Sequence, residues 1–164
     1  MRFLLVNNHC ISDATAGVTQ SLRTIMEWLH DAGHECRILT TSRFEARVTF
    51  TIEEHLKGLG VRPERPVTRY EVGGVPVTLL MTRHHDETRP NRRETSQYSA
   101  LVTRLLDDFA PDQLIACNGH PMIFAAMGEA QRRGITTAFA VRGFGYYDRR
   151  YFEHVDHVFT CSQF

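Results

Sequence analysis

Hydrophobic and polar positions along the chain form two kinds of segment. Short apolar runs bounded by polar turn residues predict buried strands, and apolar residues repeated every three or four positions predict amphipathic helices. In the first forty residues a run, a helical repeat ended by Gly33 and a second run predict a βαβ unit with a right-handed crossover. The predicted strands cover residues 3–6, 36–40, 68–81 (two runs around Gly73 and Gly74), 114–117, 136–141 and 158–160. The predicted helices cover residues 18–29, 52–59, 98–109 and 121–134, and residues 84–93 are expected to form a loop.

This alternation predicts an α/β fold with a doubly wound, mostly parallel sheet and a β-hairpin insertion, forming a single Rossmann-like domain over residues 1–164. The composition agrees, because 42% hydrophobic and 23% charged residues are typical of a globular protein. Sheets of this type bind ligands beyond the carboxyl ends of their strands. We therefore expect functional residues in the loops that follow residues 6, 117 and 141.

Charge and cysteine content exclude several classes of protein. Lys plus Arg and Asp plus Glu each total 19, and a net charge near zero argues against a nucleic-acid binder. The four cysteines form no C-x-x-C pair and the paired histidines lack a third ligand, so we expect no metal. No segment has the length of a signal-peptide core or a membrane span, which favours a cytoplasmic protein. A peripheral contact with the inner face of the membrane through the basic residues of 83–93 is the alternative, although a solvated loop is favoured there.

The phosphate-binding motifs of two common α/β classes are missing from the sequence. Neither G-x-G-x-x-G nor G-x-x-x-x-G-K-[ST] occurs, which argues against Rossmann NAD enzymes and P-loop NTPases. A receiver-type signalling domain would need an acidic pair after the first strand and a lysine after a late one. The only lysine, Lys57, is far from such a position.

Two of the expected loops carry candidate binding residues. The first loop contains Asp13 and ends with Ala16 and Gly17 at a helix start, where free amide groups and the helix dipole favour a phosphate or carboxylate. A purely conformational role for Gly17 in a turn is an equal alternative. The loop after residue 117 contains His120, whose imidazole can form hydrogen bonds to a ligand near neutral pH. A surface residue or helix cap is the alternative there.

Several short strings, in order and at consistent spacing, resemble one known family. They are residues 3–6 (FLLV), 16–18 (AGV), 32–40 (AGHECRILT), 110–112 (APD), 133–135 (RGI), 155–159 (VDHVF) and 162–164 (SQF). Together they resemble the amino-terminal domain of GT-B glycosyltransferases, specifically the retaining enzymes of family 4. The resemblance covers nearly the whole chain.

The resemblance implies roles for residues in all three loops. Ala16 and Gly17 are expected to approach the donor sugar nucleotide, although the first glycine of the family's pair is Ala16 in this chain and only Gly17 matches the second. His120 is expected to face the sugar in the cleft as the catalytic residue, although an ungapped alignment places Cys117 at that position. The family has histidine where this chain has Arg142, whose guanidinium suits an anionic acceptor or donor phosphate. The expected acceptor or sugar contacts are Asp13, Asn118, Gly119, Arg142, Tyr146 and Tyr147.

The resemblance also implies an activity. The chain would be the acceptor-side domain of an enzyme that transfers a sugar from a nucleotide-sugar donor to a hydroxyl acceptor (a glycan, lipid or small molecule). The transfer would need no metal. Most of the nucleotide-sugar site would lie in a carboxyl-terminal donor-binding domain absent from this chain, so the chain alone is expected to be inactive. The alternatives are a stand-alone flavodoxin-like binding module and a fragment of a GT-B sugar-nucleotide epimerase.

Overall fold

The computed structural model of the chain describes residues 1–83, 90–141 and 148–160. The strands are β1 (Arg2–Val6), β2 (Glu35–Thr41), β3 (Val67–Val72), β4 (Val75–Leu80), β5 (Gln113–Cys117), β6 (Thr136–Val141) and β7 (His157–Thr160). The helices are α1 (Gly17–Asp31), α2 (Ile52–Gly58), α3 (Arg92–Phe109) and α4 (Pro121–Gln131), with a 3₁₀ turn at Arg149–Phe152.

The seven strands form one sheet in the order β3-β4-β2-β1-β5-β6-β7. All neighbouring pairs are parallel except β3 and β4, which form an antiparallel hairpin at one edge. The hairpin turns at Gly73 and Gly74, both with positive φ, and packs directly on α1. A Cβ at Gly73 would lie 2.5 Å from the side chain of Glu27, so the turn requires glycine. The predicted βαβ start, parallel sheet and hairpin are confirmed.

Alternate residues of the central strand face two different helical layers. Leu4 and Val6 of β1 pack into the core that α3 and α4 form on one face of the sheet. Phe3 and Leu5 face the opposite side, where α1 covers the sheet. All four side chains are buried, which explains why β1 is a continuous apolar run. Because β1 is the middle strand of the seven, its carboxyl end lies at the centre of the carboxyl edge of the sheet.

The prediction of a loop through residue 93 is wrong at its end, because α3 already begins at Arg92. Asn91 caps this helix, since its side chain accepts a hydrogen bond from the Glu94 amide while the Glu94 carboxylate accepts one from the Asn91 amide. The first turn of α3 contains no apolar residue, so the hydrophobic repeat becomes visible only at Tyr98. Local capping, rather than periodicity, determines where α3 starts.

Candidate functional site

The loop that leaves β1 is held in place by hydroxyl groups from two neighbouring elements. The backbone carbonyls of residues 7, 8 and 9 each accept a hydrogen bond from a side chain. Tyr98 of α3 donates to residue 7 at 3.2 Å, and Thr41 of β2 donates to residue 8 at 2.6 Å. Thr40 donates to residue 9. The side chains of this loop are therefore fixed at the carboxyl edge of the sheet before any ligand binds.

Asn118 connects the end of β5 to the end of β1. Its backbone is left-handed, with φ of 72°, a conformation that asparagine tolerates better than most residues. Its Nδ2 donates to Oδ1 of Asn7 at 2.6 Å and lies 3.2 Å from Nδ1 of His9. Both hydrogens of the Asn118 amide are thus directed at partners on the neighbouring loop.

His9 has one ring nitrogen paired and one unpaired. Its Nε2 is buried and has no hydrogen-bond partner among the described residues, and the same is true of Nδ2 of Asn7. Burial, followed by the nearby Arg43 guanidinium, lowers the pKa of His9 to about 4, while the Asp13 carboxylate opposes that shift. The ring is therefore neutral at physiological pH.

His120, the predicted catalytic residue, lies beside this group. It is the N-cap of α4, where its Nδ1 accepts a hydrogen bond from the Met122 amide at 3.3 Å, and Pro121 occupies the first turn. The ring is half-buried and contributes to lowering the pKa of His9. The structure thus brings His120 and Asn118 together with His9, and the cap that the sequence left as an alternative is also present.

Gly119 and Gly17 are exposed glycines in two loops at the carboxyl edge of the sheet. Gly119 is exposed between Asn118 and His120. Gly17 is the exposed first residue of α1, and a Cβ built there would meet no atom within 4 Å. Ala16 is the N-cap of α1, and within the described ranges no side chain caps this helix end. Such a helix end suits an anionic group, and the binding of one by the α1 amides stays a prediction.

Asp13, a predicted sugar contact, is fully buried and makes internal hydrogen bonds with both carboxylate oxygens. Its Oδ1 accepts from the amide of Thr15 at 2.9 Å and from the Thr15 hydroxyl at 2.6 Å. Its Oδ2 accepts from the Glu45 amide at 2.9 Å. Through these bonds Asp13 stabilises the loop between β1 and α1. Its contact with a sugar stays a prediction.

Three predicted contacts, Arg142, Tyr146 and Tyr147, lie outside the described residues. Two residues of the site, Asn7 and His9, were not predicted from the sequence. The available signal was their position, since both follow directly on the buried run of β1 at the edge where ligands bind in such sheets.

A second histidine cluster lies on the other side of the same loop. Nε2 of His55, in α2, is 2.9 Å from Oγ of Ser12, which is 3.2 Å from Sγ of Cys10. The His55 ring stacks on Phe50 and meets Phe44 edge-on, with centroid distances of 5.5 and 5.1 Å. Burial raises the pKa of the Cys10 thiol to about 11, so the thiol is protonated at neutral pH. This cluster joins α2 to the loop.

A groove of about 520 Å³ lies away from both clusters, between the edge strands and α3. Arg37, Arg69 and Arg104 line it. Arg37 stacks on the Phe109 ring at 4.4 Å, and Arg104 pairs with Asp108. The groove is near the amino ends of the parallel strands and is therefore separate from the carboxyl edge.

Two kinds of feature are missing from the part of the chain that the structure describes. There, no three His, Cys, Asp or Glu side chains are grouped so that they could hold a metal ion. Likewise, none of the helices within the described ranges has both the length and the apolar character needed to cross a membrane.

Comparison with known proteins shows a likeness at the level of structure. No protein-family model and no curated protein sequence matches the chain. UDP-GlcNAc 2-epimerase from Methanocaldococcus jannaschii superposes with a TM-score of 0.58 at 14% identity, over 99% of this chain and 40% of that structure. MurG from Acinetobacter baumannii superposes with a TM-score of 0.54 at 11% identity, over 99% of this chain and 42% of that structure. The catalytic domain of starch synthase IV from Arabidopsis thaliana superposes with a TM-score of 0.51 at 13% identity, over 85% of this chain and 33% of that structure.

These similarities define the fold of the chain. Glycosyltransferases and UDP-GlcNAc 2-epimerases of the GT-B fold are among the structural neighbours, and the chain has the fold of one Rossmann-like half of such an enzyme. It spans between 33% and 42% of the length of the three structures named.

Proposed function

We propose that this chain is the amino-terminal, acceptor-side domain of a GT-B glycosyltransferase that uses a nucleotide sugar and a hydroxyl acceptor. The observation that carries the proposal is the group formed by His9, Asn118 and His120 at the carboxyl edge of the sheet, close to the loop that leads to the uncapped end of α1. Doubly wound sheets bind their ligands at this edge.

Each part of this edge suits a different part of the substrates. The amides at Gly17, which no side chain of the described residues caps, suit a phosphate oxygen of the donor, because the positive end of the α1 dipole favours negative charge. His120, whose Nδ1 accepts a hydrogen bond from the Met122 amide of its own helix, has an imidazole that suits hydrogen bonds with a sugar hydroxyl. Asn118 and Gly119 adjoin it, and Arg142, Tyr146 and Tyr147 remain proposed contacts of the acceptor or sugar.

The reaction proposed is a retaining transfer of the family 4 type. The bond between the anomeric carbon and the diphosphate oxygen breaks, and its electron pair leaves with the diphosphate. The acceptor oxygen forms the new bond to the anomeric carbon, and its proton passes to the departing phosphate. This balance requires no metal. A second domain, beyond this chain, would supply most of the nucleotide-sugar site, so the chain alone would not turn over.

Turnover by the full-length gene product tests the proposal. It is incubated with UDP-, ADP- and GDP-sugars, with and without simple glycoside acceptors, and nucleoside diphosphate release and sugar products are measured. Acceptor-dependent release with glycoside formation supports transfer. Formation of a C2 epimer without an acceptor would identify an epimerase, and binding without any product would favour a stand-alone module.

A matched pair of variants links the activity to the site. His120→Asn keeps a good helix cap but removes the imidazole, so turnover should fall by about tenfold to a thousandfold while the fold is retained. His157→Asn changes an exposed histidine at the opposite end of the sheet and should leave turnover unchanged. Equal activity in both variants would contradict the role of His120.

A further inference from the structure

The amide of Asn118 determines which hydrogen-bonding groups its two partners have left. Because its Nδ2 is a donor, Oδ1 of Asn7 and Nδ1 of His9 must act as acceptors toward it. The remaining nitrogen of a neutral His9 ring is then Nε2–H, and the remaining group of Asn7 is its NH₂. Asn118 thus sets one tautomer of His9 and one orientation of the Asn7 amide.

The two groups left over are both donors, and both are buried without a partner among the described residues. A buried donor that makes no hydrogen bond costs about 1–3 kcal/mol, so such groups are rare and call for an explanation. Asn7 is fully buried, whereas His9 is only half-buried. The exposed Gly119 and the half-buried His120 place the cluster next to solvent.

The charges around His9 decide what kind of ligand atom fits. Arg43 and His120 both lower its pKa, whereas Asp13 raises it. The Asp13 carboxylate already accepts hydrogen bonds from Thr15 and Glu45, so both of its oxygens are engaged within the loop. The guanidinium of Arg43 and the two unpaired donors therefore favour an incoming acceptor atom that carries negative charge.

We propose that Nε2 of His9 and Nδ2 of Asn7 donate hydrogen bonds to an anionic oxygen of the substrate, a phosphate or carboxylate oxygen, and that Asn118 is the positioning residue. The proposal rests on the proposed function only for the identity of the substrate. It also makes His9 a binding residue and not the proton acceptor, since its unpaired nitrogen, Nε2, already carries a hydrogen. The anionic oxygen comes either from the diphosphate of the donor or from an acidic acceptor.

The tautomer of His9 is measured first, on the chain labelled with ¹⁵N-histidine. Long-range ¹H–¹⁵N spectra are expected to show the Nε2–H form of His9 with no titration between about pH 6 and about pH 8. In Asn118→Asp a carboxylate replaces the donor, so the ring should move to the Nδ1–H form and titrate at higher pH. Asn118→Gly, which tolerates the positive φ, should lose the tautomer preference without the added charge. An Nδ1–H ring in the unaltered chain would overturn the proposal.

Ligand probes are then added to the full-length gene product, labelled in the same way, because the proposed second domain would supply most of the nucleotide-sugar site. UDP represents the diphosphate source, glucuronate represents the acidic acceptor, and glucose is the uncharged comparison. The His9 Nε2 resonance should move with UDP or with glucuronate, and which of the two moves it identifies the source. His9→Phe should weaken that binding by about tenfold or more, and His9→Gln, which restores a side-chain NH donor, should weaken it less. No shift with either anion, or an equal shift with glucose, would overturn the proposal.

These readouts are independent of turnover. If the tautomer and the anion shift are found but no nucleotide sugar is consumed by the full-length gene product, the proposed function fails and the anion site stands. If transfer is observed while His9 has the other tautomer, the anion site fails and the proposed function stands.

Discussion

Two half-buried histidines, His9 in the loop between β1 and α1 and His55 packed against that loop, differ in what their ring nitrogens contact. Burial lowers the pKa of both. Nε2 of His55 is paired with Ser12 and its ring is packed against two phenylalanines, whereas Nε2 of His9 has no partner among the described residues. Burial and a shifted pKa are therefore common to a packing residue and to a candidate binding residue, and the unpaired nitrogen distinguishes them.

The difference has an energetic consequence. The hydrogen bond between His55 and Ser12 stabilises the fold, because it joins α2 to the loop. The unpaired nitrogen of His9 lowers stability, and a cost of this kind is expected where a ligand later supplies the missing partner. Substitutions at the two positions should therefore separate stability from substrate binding.

Acid should expose the cost of burying His9. Its pKa is about 4 in the folded chain and 6.5 unperturbed, so between these values the unfolded state binds the additional proton. Stability should fall as pH decreases below 6.5 and lose up to about 3 kcal/mol from this group by pH 4. Urea unfolding of the chain and of His9→Gln across this range isolates the contribution. Parallel pH profiles for the two proteins would contradict it.

Removing the donor at His9 should affect activity far more than folding. His9→Phe in the full-length gene product is expected to lower kcat/KM for the nucleotide sugar by about a hundredfold, since a positioned donor to a substrate oxygen is lost. The melting temperature should stay the same or rise. Steady-state kinetics and thermal melting measure the two effects, and a lower melting temperature with unchanged kinetics would assign His9 to packing.

The matched substitution at the other cluster should do the opposite. His55→Phe keeps an aromatic ring against Phe44 and Phe50 but leaves the buried Ser12 hydroxyl without this partner, so unfolding free energy should drop by about 1–2 kcal/mol. Turnover at low temperature should change less than about twofold. A large fall in kcat/KM at full stability would mean that the two histidines are not functionally distinct.

The smallest expected effect is at the start of α1. Gly17→Ala meets no atom within 4 Å and should add about 0.5–1 kcal/mol of stability, because alanine favours the helix. The added methyl group should nevertheless raise KM for the nucleotide sugar by several-fold if a phosphate approaches these amides. Gly58→Ala, in α2 and equally open, is the control that should change neither KM nor kcat. Identical KM values in both variants would mean that Gly17 has only a conformational role.

The sequence predicts the fold well and the site only in part, for reasons that particular residues make clear. The apolar runs fix which segments are buried, so β1, β5 and β6 follow from periodicity. The start of α3 does not follow from periodicity, because it depends on the cap at Asn91. The position of His120 at the carboxyl edge could be predicted, since it directly precedes a helix, whereas its catalytic role stays a prediction. The contact that engages Nδ1 of His9 could not be predicted, because it comes from Asn118, 109 residues further along the chain.

The most direct test of the central claim is hydrogen–deuterium exchange of the full-length gene product with and without its nucleotide sugar. The account predicts that the ligand slows exchange at the carboxyl edge, in residues 7–9, 17–19 and 118–120. The same segments should lose this protection in His9→Phe at equal ligand concentration. Protection confined to the groove lined by Arg37, Arg69 and Arg104, or bound ligand with no protection at the carboxyl edge, would contradict the account.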